Sequence, residues 1–268
     1  MPIRSPTAIQ TEKLRLILST YQDGTGQLTQ KGGMTLPGWR DFERSVAIAF
    51  GGTAQESKAI FDVLVPTPQE NSFYGISCKM RRELKYPKRN VEVPIELSNS
   101  AGKFWDALIQ DFKLTRQTYK KFPDIVGKVL ISIVESWHEN ASLKMGVEIK
   151  LEESFFLVLL WNKRGYYQLF QFPLSLPDPQ ALHWHFPLDR EGNPGRHLRG
   201  EDENGKLFVW YGESGGQLKY YPRVSQAVWY SQPFQLEPLP PDIPDSIISK
   251  VQTYFPSQWR KIDQNDGK

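Results

Sequence analysis

Glu43, Asp62 and the triplet Ser77-Cys78-Lys79, followed by Glu92 and Glu96, are the residues of this 268-residue chain whose types and order could do chemistry. Asp62 lies in an apolar run, AIFDVLV (59–65), where an unpartnered carboxylate is costly. Lys79 closes a second run, FYGISCKM (73–80), and shares strand parity with Ser77 while Cys78 points the other way. A carboxylate and an ammonium brought together on neighbouring strands are what metal-dependent phosphodiester hydrolysis needs. The acid holds a divalent cation, and the lysine manages charge at the attacked phosphate or orients the attacking water. Mg²⁺ takes oxygen ligands, so Asp62, a second carboxylate and the backbone carbonyl of Cys78 form the expected set.

The elements that must position these groups follow from periodicity. LPGWRDFERSVAIAF (36–50) places Trp39, Phe42, Val46 and Phe50 at helical steps, with Glu43 beside that stripe and Gly51-Gly52 as a stop. The two apolar runs read as strands joined by a short polar turn, and VEVPIEL (91–97) as a further extended piece broken by Pro94. Helices are expected over TEKLRLILSTY (11–21), 101–114, 124–138 and 244–255, and a flexible polar linker over DGTGQLTQKGG (23–33). From about residue 145 strand patterns dominate. The proline-rich stretch 173–194 reads as a long ordered loop. The expected fold class is α/β: a central mixed sheet flanked by helices, with a strand-rich C-terminal elaboration. It is read as one domain, with a catalytic core at about 35–140 and a recognition part at about 145–240.

The order Glu43, Asp62, Ser77-Cys78-Lys79 in a helix–strand–strand–helix setting resembles the PD-(D/E)XK nuclease superfamily, specifically type II restriction endonucleases. The resemblance spans roughly residues 38–105. It departs from the family pattern at Phe61, where proline is common, and at Ser77, where an acid is usual. A subgroup of restriction enzymes carries serine there and recruits a displaced glutamate. Glu96 is the preferred candidate here and Glu92 the alternative. The resemblance implies a site-specific, Mg²⁺-dependent deoxyribonuclease acting as a homodimer in a prokaryotic cytoplasm. Asp62 and Glu96 would hold the metal, Lys79 would assist the nucleophile, and Glu43 would be a further or supporting carboxylate. The alternatives are a repair or junction-resolving nuclease on the same core and a non-catalytic DNA-binding protein.

Bulk properties neither contradict nor demand this reading. Net charge is +3, too small to identify a polyanion binder. The segment KMRRELKYPKR (79–89), with Arg81, Arg82 and Lys85, reads either as a solvated loop or as a phosphate-facing edge. Arg196, Arg199 and Arg223 lie among later loops and aromatics, where guanidinium groups could read guanine edges. The single cysteine, Cys78, excludes an internal disulfide and suits a reducing compartment. No apolar run is long enough for a signal peptide or a membrane span. His183-Trp184-His185, without a second cysteine, is a poor zinc signature, and GESGG (212–216) reads as a turn rather than a phosphate loop.

Overall fold

The computed structural model describes residues 4–30, 34–56, 60–88, 90–98, 101–241 and 246–260. The chain opens with α1 (Ala8–Thr20), a two-stranded ribbon of β1 (Leu28–Thr29) and β2 (Thr35–Leu36), and α2 (Trp39–Phe50). It continues through β3 (Thr53–Ala54), β4 (Val63–Pro66), β5 (Ser72–Arg81), β6 (Ile95–Ser98), α3 (Ala101–Gln110), α4 (Pro123–Glu139) and α5 (Ala141–Met145). The second half carries β7 (Glu148–Ile149), β8 (Phe155–Trp161), β9 (Tyr166–Pro173), β10 (His183–His185), β11 (Leu198–Asp202), β12 (Gly205–Trp210), β13 (Leu218–Tyr220), β14 (Trp229–Tyr230), β15 (Phe234–Gln235) and α6 (Ser246–Tyr254).

A mixed sheet forms the centre, in the order β14-β9-β8-β5-β4-β3, with β7 added to β5 and β15 to β9. β5 runs parallel to β8 and antiparallel to β4. The return from β5 to a parallel β8 requires a crossover, and α3 and α4 lie in that segment. β8 is the run FFLVLLW. Phe155, Leu157 and Leu159 pack with α1 and α2, whereas Phe156, Val158 and Leu160 join the core that contains α3 and α4. A strand buried on both faces reads as a continuous apolar run rather than an alternation. A second, antiparallel sheet has the order β10-β11-β12-β13-β6. Its Leu198, Phe208, Trp210 and Leu218 share one hydrophobic core with Leu64, Phe156 and Val158 of the first sheet and with Phe61, just before β4. No helix among the described residues is long and apolar enough to cross a membrane.

The α/β class and the helix-flanked mixed sheet agree with expectation, but several elements differ. The division at about residue 145 does not follow the sheets. β8 and β9 lie at the centre of the first sheet, and β6, from the earlier part, forms an edge of the second. The segment 23–33 is more than a linker. Thr35 Oγ1 accepts from the N–H groups of Gly24 and Gly26 and donates to the Tyr21 carbonyl, which folds the segment onto the end of α1. Residues 31–33 lie outside the described part. The proline-rich stretch contains strand β10, in which Trp184 is fully buried. Trp39, the first residue of α2, is 53% exposed although it falls on the helix's apolar stripe.

Candidate active site

The site is assembled where β5 outruns β4. β4 pairs with β5 from Phe73 to Ile76 only, so the next residues of β5 have an open edge on that side. Asp62, immediately before β4, bends across it. Its backbone N–H donates to the Ile76 carbonyl at 3.0 Å, and its carboxylate Oδ2 accepts the Cys78 N–H at 2.7 Å. N–H and C=O of one strand residue face the same side, so the Cys78 carbonyl looks out on the same edge as Asp62. Lys79 Nζ stands 3.6 Å from Asp62 Oδ2, each side chain about a quarter exposed.

Phe61 anchors Asp62 from behind. Its ring lies so close over Gly75 that a Cβ there would stand 2.2 Å from Phe61 Cγ. Phe61 also stacks against His138 of α4, with ring centroids 6.3 Å apart, and the far side of that imidazole meets Phe156 at 5.9 Å. Burial, with Lys79 nearby, pushes the His138 pKa down to about 4, so the ring is neutral at pH 7. The sequence offered no signal that His138 would neighbour Lys79.

Glu43 arrives from the opposite layer. The N-terminus of α2 is fixed by Asp41, 3% exposed, whose Oδ2 accepts from the N–H groups of Gly38 at 2.8 Å and Gln27 at 2.9 Å. Half a turn further on, the Glu43 carboxyl is half-buried and faces Asp62. Its pKa is pushed up to about 7, first by burial and then by the Asp62 charge, with Lys79 opposing. Cys78 is buried, and its thiol is raised well above the ordinary range by the same burial, so it is no nucleophile. Ser77 is 4% exposed, a place where a carboxylate would be desolvated and a small hydroxyl is tolerated.

Asp62, Lys79, the Cys78 edge and Glu43 are therefore brought together. The ion-pair partner of Glu96 is Arg81, two residues beyond Lys79 on β5, rather than a residue of that group. Glu96 lies on β6 in the second sheet, where the Arg81 guanidinium holds its carboxylate in a partly buried ion pair. Glu92 pairs through its backbone with Arg223 in an isolated antiparallel β-bridge, and its carboxylate faces Lys206 Nζ at 3.2 Å. Among the described residues, no three His, Cys, Asp or Glu side chains form a ready metal cage. Glu43, Asp62 and a backbone carbonyl would leave the remaining positions to water and phosphate oxygens, a pattern that suits Mg²⁺.

The expected DNA-facing cations divide into engaged and available groups. Arg81 is committed to Glu96. Arg223 grips Asp202 through both of its terminal nitrogens, one at 2.8 Å, which holds the pKa of Asp202 low. Arg82 is exposed and lies over the Trp161 ring at 5.2 Å, and Lys85 and Arg196 are exposed. Arg199 is exposed, with Nη1 3.8 Å from Glu201. His183 and His185 sit on β10 with ring centroids 4.9 Å apart, and His185 Nε2 is 3.5 Å from Glu201. The chain matches no family model, no curated protein and no solved structure.

Proposed function

We propose that this protein is a Mg²⁺-dependent, sequence-specific double-strand DNA endonuclease of the type II restriction kind, acting as a homodimer so that two sites address the two strands of a palindrome. The observation that carries this reading is the convergence of Glu43, Asp62 and Lys79 at the open edge of β5, with Glu43 pushed up to about 7 by burial and the facing Asp62. Such a pair is short of one positive charge. A divalent cation bound there supplies that charge, polarises the scissile phosphate and makes the attacking water more acidic.

The chain's own groups do the positioning. Cys78 N–H holds Asp62 Oδ2, so that Oδ1, with Glu43 beside the carboxylate, would be the oxygen offered to a cation. Lys79 Nζ, tethered to Asp62, is placed to orient water and to stabilise charge developing on the phosphate oxygens. Glu43 is assigned as the second carboxylate. Glu96, expected in that role from the sequence, is assigned as a strut for Arg81.

The test is incubation of plasmid DNA with purified protein and Mg²⁺. Discrete fragments are expected, with Asp62→Ala and Lys79→Ala each lowering the rate by two or more orders of magnitude. Glu43→Ala should cost more than Glu96→Gln. Cleavage that is unchanged in Asp62→Ala and Lys79→Ala, or no cleavage at any Mg²⁺ concentration, overturns the reading. Random nicking, or cutting confined to branched DNA, would point to a repair or junction-resolving enzyme instead.

A further inference from the structure

Next to the candidate site a cavity of about 370 Å³ opens between the start of α2 and the end of β5. Trp39 and Trp161 stand in its wall, together with Met80, Arg81, Arg82 and Glu83. We propose that it receives one unstacked nucleobase of the bound DNA strand, an assignment that rests on the nuclease reading above.

Three observations converge on this occupant. The first is chemical. Trp39 offers an exposed indole, with Arg40 over its ring at 4.8 Å, whereas Trp161, stacked on Tyr167 at 6.2 Å and covered by Arg82 at 5.2 Å, is a closed part of the wall. Aromatic faces backed by guanidinium groups are the usual platform for a base, and stacking accepts any base because each has a π-face. The second is the place of Trp39, whose indole is 53% exposed and stands in the cavity wall, where a planar apolar ligand would cover it. Glu83 is exposed at the rim and can accept from an exocyclic amino group. The volume lies at the small end of the range for ligand sites, about 300–1,000 Å³.

The third is position. The elements that carry the candidate catalytic groups also carry the cavity walls. Trp39 precedes Glu43 by four residues on α2 and so lies on the same helix face, one turn away. Met80, Arg81 and Arg82 directly follow Lys79, and Arg81 is about 6.6 Å further along β5 on the same side. A strand whose phosphate rests at Lys79 thus has a neighbouring base within reach of the cavity.

Opening a base pair is easiest where the pair is already mismatched. Binding is measured with Ca²⁺ in place of Mg²⁺ on the duplex mapped from the plasmid digest, with a single mismatch, or a single abasic nucleotide, placed at each position in turn. At one position beside the cut, wild type should bind the mismatched duplex about ten-fold more tightly than the matched one. Trp39→Ala and Arg82→Ala should lose that preference, and Trp39→Phe should keep it. An abasic nucleotide there should make binding indifferent to Trp39→Ala. If wild type cuts DNA but shows no mismatch preference at any position, or Trp39→Ala retains it, the base assignment falls and the nuclease reading stands. If wild type neither binds nor cuts duplex DNA, both fall together.

Discussion

Glu43 and Asp62 present two carboxylates to one another, with Lys79 the ammonium that faces both, and burial together with the Asp62 charge raises the Glu43 pKa. The ordinary value for Glu43 is 4.5, and in the fold it rises to about 7. The folded chain therefore holds that proton more tightly than the unfolded chain does. Stability from this group is complete below the ordinary value and is lost as pH rises through about 7. Glu43→Gln, which keeps the shape and removes the charge, should stabilise the cation-free protein at pH 8 by about 1 kcal/mol once solvent screening is allowed for. That advantage should shrink as pH falls towards 4.5, as read from urea unfolding in chelator. An advantage independent of pH would mean that packing, not charge, is responsible. His138 has the opposite sign. Its ordinary value of 6.5 drops to about 4 between Phe61 and Phe156. Stability is complete above 6.5 and is lost as pH falls towards 4, where the unfolded chain takes up a proton that the folded chain refuses. His138→Phe should remove this part of the acid sensitivity, so unfolding midpoints of variant and wild type should diverge between pH 6.5 and 4 and run parallel above it.

At the scale of elements, β5 is the organiser: its first half is paired on both sides, and its second half gives one edge to the site and its far end to the second sheet through Arg81 and Glu96. Partly buried partners in one ion pair couple by about 0.5–3 kcal/mol. The losses in Arg81→Ala and Glu96→Ala should therefore fall short of additivity in the double variant, on stability and on DNA cleavage alike. Additive losses, or a cleavage defect in Glu96→Ala with no counterpart in Arg81→Ala, would make Glu96 a direct participant rather than a strut. This region also marks where sequence reading stops. α2, β4, β5, α3 and α4 were legible because their apolar periods of 3.6 or 2 are local. Glu96 has usable strand parity, yet the sheet that β6 joins is decided by pairing with β13, more than a hundred residues away. β10 was missed for the same reason, since Pro173–Pro194 carries turn residues at every few positions while the pairing that makes β10 a strand comes from β11. Glu43 was legible as a residue beside a helix stripe. The resemblance also placed it with Asp62 as a further or supporting carboxylate, but how closely the two meet was not legible, because that depends on how far β4 falls short of β5.

For the whole molecule the question is whether the second sheet is an appendage or part of one cooperative unit, and Trp184 decides it. Its indole is 1% exposed, fills the space over Gly127 of α4, and donates from Nε1 to the Pro179 carbonyl at 2.9 Å. A Cβ at Gly127 would stand 2.1 Å from the indole, closer than any packing permits, so helix and sheet meet only because residue 127 has no side chain. The same core continues from Trp184 and Phe208 through α4 to Phe156 and Val158, with no seam at which either sheet could detach intact. Two sheets that share one of their cores are expected to unfold together, whereas independent subdomains give separable transitions. Calorimetry should therefore show one transition with equal calorimetric and van't Hoff enthalpies. Gly127→Ala, an overpacking change costing about 1–3 kcal/mol, should lower that single midpoint. Far-ultraviolet dichroism and the fluorescence of the indoles around Trp184 should move together in the variant. Two transitions, of which only one shifts, would show that the sheet carrying Arg196 and Arg199 folds apart from the sheet carrying Asp62 and Lys79. A shared midpoint means that any DNA contact made by the second sheet is held in fixed register with the site at the end of β5.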